Sequence, residues 1–405
     1  MTNRTFWKLL ITVAVAVVLT TTGAALAADE IVLGAAVSQT GKYAREGKFY
    51  VDAYTLTVDA INKAGGIKVG GKPYKLVLKL YDDQSDPNLC VRLYTRLVTS
   101  DKVNFLLGPY SSGITIPASA VAEKYEIPMV QGGGASGKIF DRGYKYIFGT
   151  LPKAELYFKS AIEMATKMSP GIRTAALLYS NEAFDRSVAD GARQWLKEVK
   201  IDKVYDEEYQ PATQDFTSIM AVIKTKNPDL ILVAGHEENA LNFIRQSQAA
   251  DLNPRMAVFT VGPPTADFRK TLGKAAEYVY GITPWLPDME IGGDTFKSAR
   301  EFDKQFQQRF GYAADYHVAS GAADVLVYKL AIEKAGSLDA KKVRDALAAI
   351  DADTLYGRVK FESTGQIAID QVVIQIQNGN ILPVYAGGKT VGKAIYPAPK
   401  WGERK

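Results

Sequence analysis

Short apolar runs alternate with longer amphipathic segments from Ile31 onward, and this alternation restricts the accessible folds more than any other feature of the sequence. The short runs have the length and composition of buried strands, and the longer segments have the period of helices. Such alternation is typical of consecutive βαβ units, which form a parallel sheet covered by helices. The predicted strands are 31–37, 75–81, 103–107, 128–131, 175–179, 230–234 and 257–261. The predicted helices are 49–62, 88–98, 117–124, 156–167, 187–199, 216–224 and 239–249.

After Gly281 the alternation stops at a segment rich in proline and glycine. Three predicted helices follow, at 296–310, 319–335 and 340–350, and then three extended runs, at 358–361, 372–377 and 381–385. A chain of 405 residues is also longer than a single core usually organises. We therefore expect two α/β lobes, with the chain crossing between them more than once.

The N-terminal segment has the order of a secretory signal peptide. Two basic residues precede an apolar run at 9–19, and a small-residue cleavage pattern follows at 25–27. A retained membrane anchor is the alternative, because residues 6–26 approach the ~20 residues that span a bilayer. The cleavage pattern favours export. We predict that residues 1–28 are removed near Ala28 and that the protein is periplasmic.

Charge and cysteine content exclude several classes of function. The chain has a formal net charge of +5, and removal of residues 1–28 takes away Arg4 and Lys8, which leaves +3. No basic cluster is interleaved with aromatic residues, so nucleic-acid binding is not predicted. Cys90 is the single cysteine and cannot form an internal disulfide. No Cys or His pair has the spacing of metal ligands, so we predict neither a metal nor a cofactor.

A glycine-rich loop, GGGASGK at 132–138, resembles two nucleotide-binding patterns. A phosphate loop needs Ser or Thr after the lysine, but Ile139 stands there. A dinucleotide fingerprint opens a long helix, which the aromatic-rich segment 138–149 does not resemble. A nucleotide-binding enzyme is therefore the weaker alternative. Glycines can still aim backbone N–H groups at a carboxylate. The candidate residues are Gly133, Gly134, Ala135 and Ser136.

A second candidate loop, GPYSSG at 108–113, lies between a predicted strand and a predicted helix. Ser112 and the free N–H groups of the helix start can donate to a carboxylate. The alternative of equal weight is that Ser111 or Ser112 caps the helix. A serine nucleophile would need a nearby base, but the chain has only two histidines and lacks the GxSxG elbow. We therefore predict no enzymatic activity.

Several segments together carry a family resemblance over essentially the whole mature chain. They are SQTG at 38–41 with AINKAGGI at 60–67, YDDQSDP at 81–87, the stretch 108–119, RGY at 142–144 and RQ at 245–246. In this order and spacing they resemble the periplasmic leucine/isoleucine/valine-binding proteins, the type I solute receptors of branched-chain amino acid ABC importers.

The resemblance implies an α/β fold in which two doubly wound parallel-sheet lobes are joined by a three-crossover hinge. The ligand would lie in the cleft between lobes that close by hinge motion. The implied first lobe comprises residues 29–150 and 284–356, and the implied second lobe comprises 151–283 and 357–390. Residues 391–405 would form a C-terminal tail.

The resemblance also implies the roles of individual residues. Ser112 and the backbone of 133–135 would hold the carboxylate of the ligand. Ala135 stands where the family often has a threonine, so Ser136 would supply the hydroxyl. Phe184 would cover the ligand, and His236 matches a tyrosine that helps to hold the amino group. Tyr110 would shape the same side of the cleft as Phe184 and His236.

Three departures from the family pattern concern the ligand. The acidic partner of the ligand ammonium would fall near 261–264, where no acid stands. Burying an ammonium without a charge partner costs several kcal/mol. The family's cysteine pair is replaced by Ser85 and Ser111, and an aromatic residue at the cleft entrance is replaced by Glu46, next to Arg45. Arg45 can pair with a carboxylate or Glu46 with an ammonium. Alternatively, both are solvated loop charges.

These observations predict an exported, monomeric solute-binding protein of an ABC importer, whose partners are the permease and ATPase subunits. The predicted ligand is a hydrophobic amino acid or a related small carboxylate, with an aromatic carboxylate as the alternative. A ligand-sensing receptor domain of the same fold is the alternative function, because a fold does not determine a function.

Overall fold

The computed structural model describes residues 29–168 and 171–404, so the predicted signal peptide lies outside the described residues. The strands are β1 (Glu30–Val37), β2 (Ile67–Val69), β3 (Lys72–Asp82), β4 (Phe105–Leu107), β5 (Met129–Gln131), β6 (Ile147–Gly149), β7 (Thr174–Ser180), β8 (Asp202–Tyr209), β9 (Leu230–Ala234), β10 (Ala257–Phe259), β11 (Tyr280–Thr283), β12 (Asp351–Thr354), β13 (Gly357–Lys360), β14 (Val372–Gln377), β15 (Asn380–Ala386) and β16 (Lys389–Thr390). The helices are α1 (Ala44–Lys63), α2 (Pro87–Thr99), α3 (Ser112–Lys124), α4 (Lys159–Ala165), α5 (Ala183–Glu198), α6 (Thr217–Lys226), α7 (Glu237–Ala249), α8 (Ala266–Leu272), α9 (Ala299–Phe310), α10 (Tyr316–Ala335) and α11 (Ala340–Ala348). Short 3-10 turns occupy Gly137–Ile139, Ala154–Leu156, Gly273–Ala276 and Trp401–Glu403.

The first sheet has the strand order β2-β3-β1-β4-β5-β6. Its pairings are parallel except for the hairpin of β2 and β3. Leu107 of β4 lies opposite Val130 of β5, so the loops that follow these strands leave the sheet side by side. α1 packs against α10, and α10 also packs against β5. We call this sheet with α1–α3 and α9–α11 lobe 1.

The second sheet has the order β16-β15-β14-β11-β10-β9-β7-β8. The strands from β8 to β11 are parallel, and β14, β15 and β16 extend the sheet by antiparallel pairing. β9 is buried along its whole length, as expected for a central strand covered on both faces. We call this sheet with α4–α8 lobe 2.

The chain passes between the two sheets three times: after β6, after β11, and between β13 and β14. β12 and β13 form a separate two-stranded hairpin. Within the described ranges, no helix combines the length and apolar character that crossing a bilayer requires.

Several helices begin earlier than the sequence predicts, and the added turns bring side chains to the cleft. α3 begins at Ser112 rather than 117, because Pro117 lies inside the helix instead of at its start. The bond that this proline cannot donate would end at Gly113, which is exposed and can bond to water. α10 begins at Tyr316 rather than 319, because the Asp315 side chain caps it by accepting hydrogen bonds from the N–H groups of His317 and Val318.

Candidate functional site

A cavity with about 290 Å³ of empty space, part of it open to solvent, lies between the two lobes, beyond the carboxyl ends of the parallel strands. Lobe 1 contributes Tyr110, Ser111, Ser112, Gly133, Ala135, Tyr316 and His317, lobe 2 contributes Phe184, His236 and Val261, and the connection between β6 and α4 contributes Leu151 and Tyr157. Ligand sites of open α/β sheets form at this edge, where neighbouring loops diverge. The position of the cavity therefore follows from the sheet topology.

Four helix N-termini meet at this cavity. Ser112 and Tyr316 are the first residues of α3 and α10, Phe184 is the second residue of α5, and His236 immediately precedes α7. The N-terminus of a helix carries a partial positive charge from the aligned peptide dipoles. Glu182 precedes α5, Glu237 begins α7 and Asp315 caps α10, so of these four helices α3 is the one that starts without an acid. Its dipole therefore favours an anion at the cavity.

The N-terminus of α3 is not capped by a side chain. Ser111 has φ 73° and ψ 144°, a backbone conformation that non-glycine residues rarely adopt and that costs about 1–3 kcal/mol. Its Oγ is buried and makes no hydrogen bond within the described residues. The N–H groups of Ser112, Gly113 and Ile114 have no acceptor within the helix. The expectation that one of the two serines caps α3 is therefore wrong, and the donors remain available.

Ser112 is oriented by the backbone of the glycine-rich loop. Its Oγ accepts hydrogen bonds from the N–H groups of Ala135 and Ser136, each at 3.1 Å. An oxygen that accepts two bonds points its own proton away from both donors. Because Ser112 lines the cavity, that proton can be donated to a ligand oxygen.

The glycines of this loop serve close packing. The N–H groups of Gly133 and Gly134 donate to Gln131 Oε1 at 3.1 and 2.6 Å, so neither is open to a ligand. A Cβ on Gly133 would lie 2.1 Å from the carbonyl oxygen of Pro109, a distance at which the backbone must move. The loop therefore differs from a phosphate loop, whose N–H groups face the ligand. Its hydrogen bonds instead fix the position of the cavity wall.

Six aromatic rings form most of the remaining wall. They are Tyr110, Tyr157, Phe184, His236, Tyr316 and His317. The ring centroids are 5.1 Å apart for Tyr157 and Phe184, 6.0 Å for Phe184 and His236, 5.7 Å for Tyr110 with either histidine, and 3.9 Å for Tyr316 and His317. Most of these pairs are tilted or edge-to-face, arrangements that the charge distribution of aromatic rings favours. The rings connect the two lobes continuously around the cavity.

His236 joins this wall to the polar groups beside it. Burial lowers its pKa, although the charges of Glu182 and Glu46 oppose this effect, so the ring is neutral at pH 7. Nδ1 lies 3.0 Å from the hydroxyl of Tyr110, and Nε2 lies 3.4 Å from Glu182. A neutral ring satisfies both neighbours when Nδ1 accepts from Tyr110 and Nε2 carries the proton.

The comparisons with known proteins agree with this architecture. Residues 30–380 match the sequence model of the family described as periplasmic binding protein. The chain belongs to the periplasmic binding protein family.

Known relatives cover nearly the whole length of this periplasmic binding protein. It is 25% identical over 394 residues to Leu/Ile/Val-binding protein homolog 7 of Brucella abortus (strain 2308), covering 93% of this chain and 96% of the relative. The branched-chain amino acid transporter substrate-binding protein LivJ of Streptococcus pneumoniae, solved with isoleucine, superimposes with a TM-score of 0.78 at 22% identity, covering 87% of this chain and 98% of LivJ. A solute-binding protein of R. palustris, solved with benzoate, superimposes with a TM-score of 0.76 at 19% identity, covering 91% and 99%. These matches confirm the predicted family and the predicted two-lobed fold.

In this periplasmic binding protein, polar side chains connect the lobes beside the cavity. Glu182 of lobe 2 accepts hydrogen bonds from Lys42 Nζ at 2.6 Å and from the hydroxyl of Tyr43 at 2.8 Å, both in lobe 1. Burial acts to raise the pKa of Glu182, but His236, Lys42 and Tyr43 bring it below its ordinary value. Glu182 is therefore ionised, and its charge is balanced by Lys42.

Arg45 forms a second connection between the lobes. Its guanidinium lies 2.5 Å from Glu237 and 3.0 Å from Asp267, two carboxylates of lobe 2. Burial raises the pKa of Glu237 to about 7, although Arg45 opposes the shift. Glu46 is buried next to Arg45. Neither residue is a free solvated charge, and neither lines the cavity.

The remaining predicted residues also lie near the lobe interface. Ser136 Oγ is 2.7 Å from Ser187 Oγ of lobe 2, so this serine bridges the lobes. Gly134, like Ser136, is outside the lining, whereas Gly133, Ala135, Ser112, Tyr110, Phe184 and His236 form part of it.

Five lining residues besides Ser111 were not predicted: Leu151, Tyr157, Val261, Tyr316 and His317. No local pattern distinguishes a ring that faces a cavity from one in the core, because both follow the periodicity of a buried face. Ser111 stands next to Ser112, but its unusual φ has no sequence signal because glycine is the residue that normally marks such a position.

Proposed function

We propose that this chain is the periplasmic solute-binding protein of an ABC importer and that it binds a small carboxylate in the interlobe cavity. One observation carries the proposal. The uncapped N-terminus of α3 opens into the cavity together with the unpartnered Ser111 hydroxyl and the oriented Ser112 hydroxyl. A carboxylate accepts several such hydrogen bonds at once, and the dipole of α3 stabilises its charge.

The relatives support this reading of the site. One is named as a Leu/Ile/Val-binding protein homolog, and two solved proteins of the same fold hold isoleucine and benzoate. Isoleucine and benzoate share a carboxylate and an apolar body. The cavity offers the same division, with serine and backbone donors in lobe 1 and aromatic rings elsewhere.

The contacts between the lobes indicate how binding is coupled to transport. A carboxylate held by lobe 1 would be covered when lobe 2 closes. The same closure would form the hydrogen bonds of Glu182 with Lys42 and Tyr43, and the ion pairs of Arg45 with lobe 2. A ligand that touches both lobes shifts the equilibrium toward the closed form. The permease and ATPase subunits would then recognise that form. Cleavage near Ala28 would release the protein into the periplasm.

Calorimetric titration of the mature protein tests the carboxylate site. The protein is unfolded and refolded to remove co-purified ligand, and is titrated with benzoate, 4-hydroxybenzoate, leucine, valine and phenylalanine. Ser112→Ala should weaken the binding of whichever acid binds roughly 10- to 100-fold, because a hydrogen bond to a charged group contributes about 1.5–3 kcal/mol.

Ser218→Ala is the matched control, because Ser218 is exposed on α6 of lobe 2. Its affinity should equal that of the unmodified protein. Equal affinities for the Ser112 variant and the unmodified protein would place the carboxylate elsewhere.

A further inference from the structure

We propose that the ligand is an aromatic monocarboxylate that carries no ammonium group. This inference rests on the proposed function and narrows the class of solute. It combines a cavity walled by aromatic rings with the absence of an available carboxylate among the described residues that line it.

The lining offers no ionised partner for an ammonium. Its polar side chains are serine and tyrosine hydroxyls and two imidazoles. Val261 is the lining residue from the segment in which the family resemblance implies an acid, and it is apolar. An amino acid bound here would bury its ammonium against rings and aliphatic carbons. That arrangement is strongly unfavourable unless a charge lies close by.

Two acids contact the rings: Asp315 lies 3.3 Å from His317 Nδ1, and Glu182 lies 3.4 Å from His236 Nε2. Asp315 is engaged by the start of α10, because it accepts hydrogen bonds from the N–H groups of His317 and Val318.

Glu182 already has a cation. Lys42 Nζ lies 2.6 Å from its carboxylate, and Tyr43 donates to the same oxygen. The protein thus supplies, from its own lobe 1, the ammonium that an amino acid would otherwise present. A second cation at this carboxylate would have to displace Lys42.

Asp185 cannot take over this role. Its side chain is completely buried, and neither carboxyl oxygen has a hydrogen-bond partner within the described residues. Burial, followed by the charge of Glu182, raises the pKa of Asp185 well above its ordinary value. Burial therefore favours the neutral form of this carboxyl, which makes it a poor partner for an ammonium. For the same reason the close approach of Glu182, Asp185 and His236 is a poor metal site.

The aromatic rings of the cavity wall favour a planar ligand. Tyr157 and Phe184 meet edge to face, and Tyr110 presents its ring to His236 and His317 in the same way. A planar aromatic ring makes edge and face contacts with such neighbours that a tetrahedral aliphatic chain cannot match. Tyr157 and Tyr316 bring phenolic hydroxyls to the cavity wall. They can therefore bind a hydroxyl group on the ring of the ligand.

Two pairs of carboxylic acid ligands separate the effect of an ammonium group on affinity from the effect of an aromatic ring. 3-Phenylpropionate differs from phenylalanine only by the missing ammonium, and benzoate differs from cyclohexanecarboxylate mainly in being planar. Titration of the refolded mature protein should show 3-phenylpropionate binding about 100-fold more tightly than phenylalanine, because the buried ammonium has no partner. Benzoate should bind about tenfold more tightly than cyclohexanecarboxylate.

The outcomes distinguish this inference from the proposed function. If phenylalanine binds as tightly as 3-phenylpropionate, the inference fails while the carboxylate site stands. If cyclohexanecarboxylate matches benzoate, the aromatic part of the inference fails. If no acid binds, both the inference and the carboxylate site fail.

If an amino acid did bind, Glu46 is the acid that would have to pair with its ammonium. It is buried beside the cavity, and its charge is the second cause, after burial, of the raised pKa of Tyr110. Glu46→Gln should leave benzoate affinity unchanged or higher. A loss of phenylalanine binding on this substitution, together with tight binding before it, would overturn the inference.

Discussion

The two faces of the cavity differ in how many of their polar groups already have hydrogen-bond or ion-pair partners within the protein. On the lobe 1 face, the glycine-rich loop donates its N–H groups to Gln131 and Ser112, whereas Ser111 and the start of α3 keep free donors. On the lobe 2 face, Phe184 and His236 present rings, and the charged groups behind them are paired with lobe 1. Under the proposed function, we therefore expect lobe 1 to bind the carboxylate before closure and lobe 2 to add selectivity when it closes.

The largest expected effect comes from disturbing the packed lobe 1 face. Gly133→Ala places a Cβ 2.1 Å from the backbone oxygen of Pro109, so the cavity wall must shift. We expect loss of measurable carboxylate binding and a decrease of about 1–3 kcal/mol in the free energy of unfolding.

Urea unfolding and calorimetric titration measure the two effects. Gly402→Ala is the control, because a Cβ there meets nothing within 4 Å. It should leave both quantities unchanged. Normal binding by the Gly133 variant would show that lobe 1 is not a preformed wall.

The buried carboxyl of Glu237 in lobe 2 should make the stability of the protein depend on pH. The pKa of Glu237 is raised to about 7, so the folded protein binds more protons than the unfolded chain between its ordinary value and pH 7. Stability from this group is therefore present at low pH and is lost as the pH rises through 7, by up to roughly 3 kcal/mol.

Glu237→Gln should remove that part of the pH dependence. Urea unfolding of the variant and the unmodified protein at about pH 5 and pH 8 measures the difference between them. Burial also raises the pKa of Asp324 of lobe 1, to about 8. Urea unfolding of Asp324→Asn at the same two pH values therefore compares the pH dependence of stability in lobe 1 with that in lobe 2. Identical slopes for the Glu237 variant and the unmodified protein would contradict the prediction.

Two substitutions of Ser111 distinguish its effect on stability from its effect on ligand binding. Ser111→Gly relieves a backbone conformation that glycine adopts readily, so the free energy of unfolding should rise by about 1 kcal/mol. It also removes a free hydroxyl, so carboxylate affinity should fall about tenfold. Ser111→Ala keeps the strain and removes the same hydroxyl, and it should lose affinity without gaining stability. Equal affinity in all three proteins would remove Ser111 from the site.

The smallest expected effect is at the contact between Ser136 and Ser187. Either serine changed to alanine should weaken ligand binding about threefold, because a neutral hydrogen bond contributes only about 0.5–1.5 kcal/mol. The double variant should be no weaker than the single variants if the two hydroxyls act only on each other. A double-mutant cycle of ligand affinities tests this, and strictly additive losses would show that the two hydroxyls act independently of each other.

Central strands of the fold were predicted closely, and edge strands were not. The predicted 230–234 coincides with β9, because a strand buried on both faces is an unbroken apolar run. β8, with the sequence DKVYDEEY, was missed because it lies at the edge of the second sheet. Edge strands carry charges that prevent further pairing, and the same charges conceal them from hydrophobic patterning.

The candidate site was predicted where it depends on a loop and missed where it depends on tertiary contacts. Ser112 was predicted from its loop, Phe184 and His236 were implied by the family resemblance, and all three line the cavity. Arg45 was singled out as an unusual charge, but its partner Glu237 is far away in the chain and on the other lobe. Short motifs carry information about their own loop and none about which side chain meets them after folding.

The path of the chain between the lobes has a consequence for the order of folding. The helix that covers the first sheet, α10, bonds through Tyr328 to the carbonyl oxygens of Leu106 and Pro128, while β11 of the second sheet pairs with β14. Neither hydrophobic core can therefore be completed from the first 315 residues. Contacts of such long sequence separation slow folding and leave apolar surface exposed in the meantime. Together with the predicted export, this delay would help to keep the chain unfolded while it crosses the membrane.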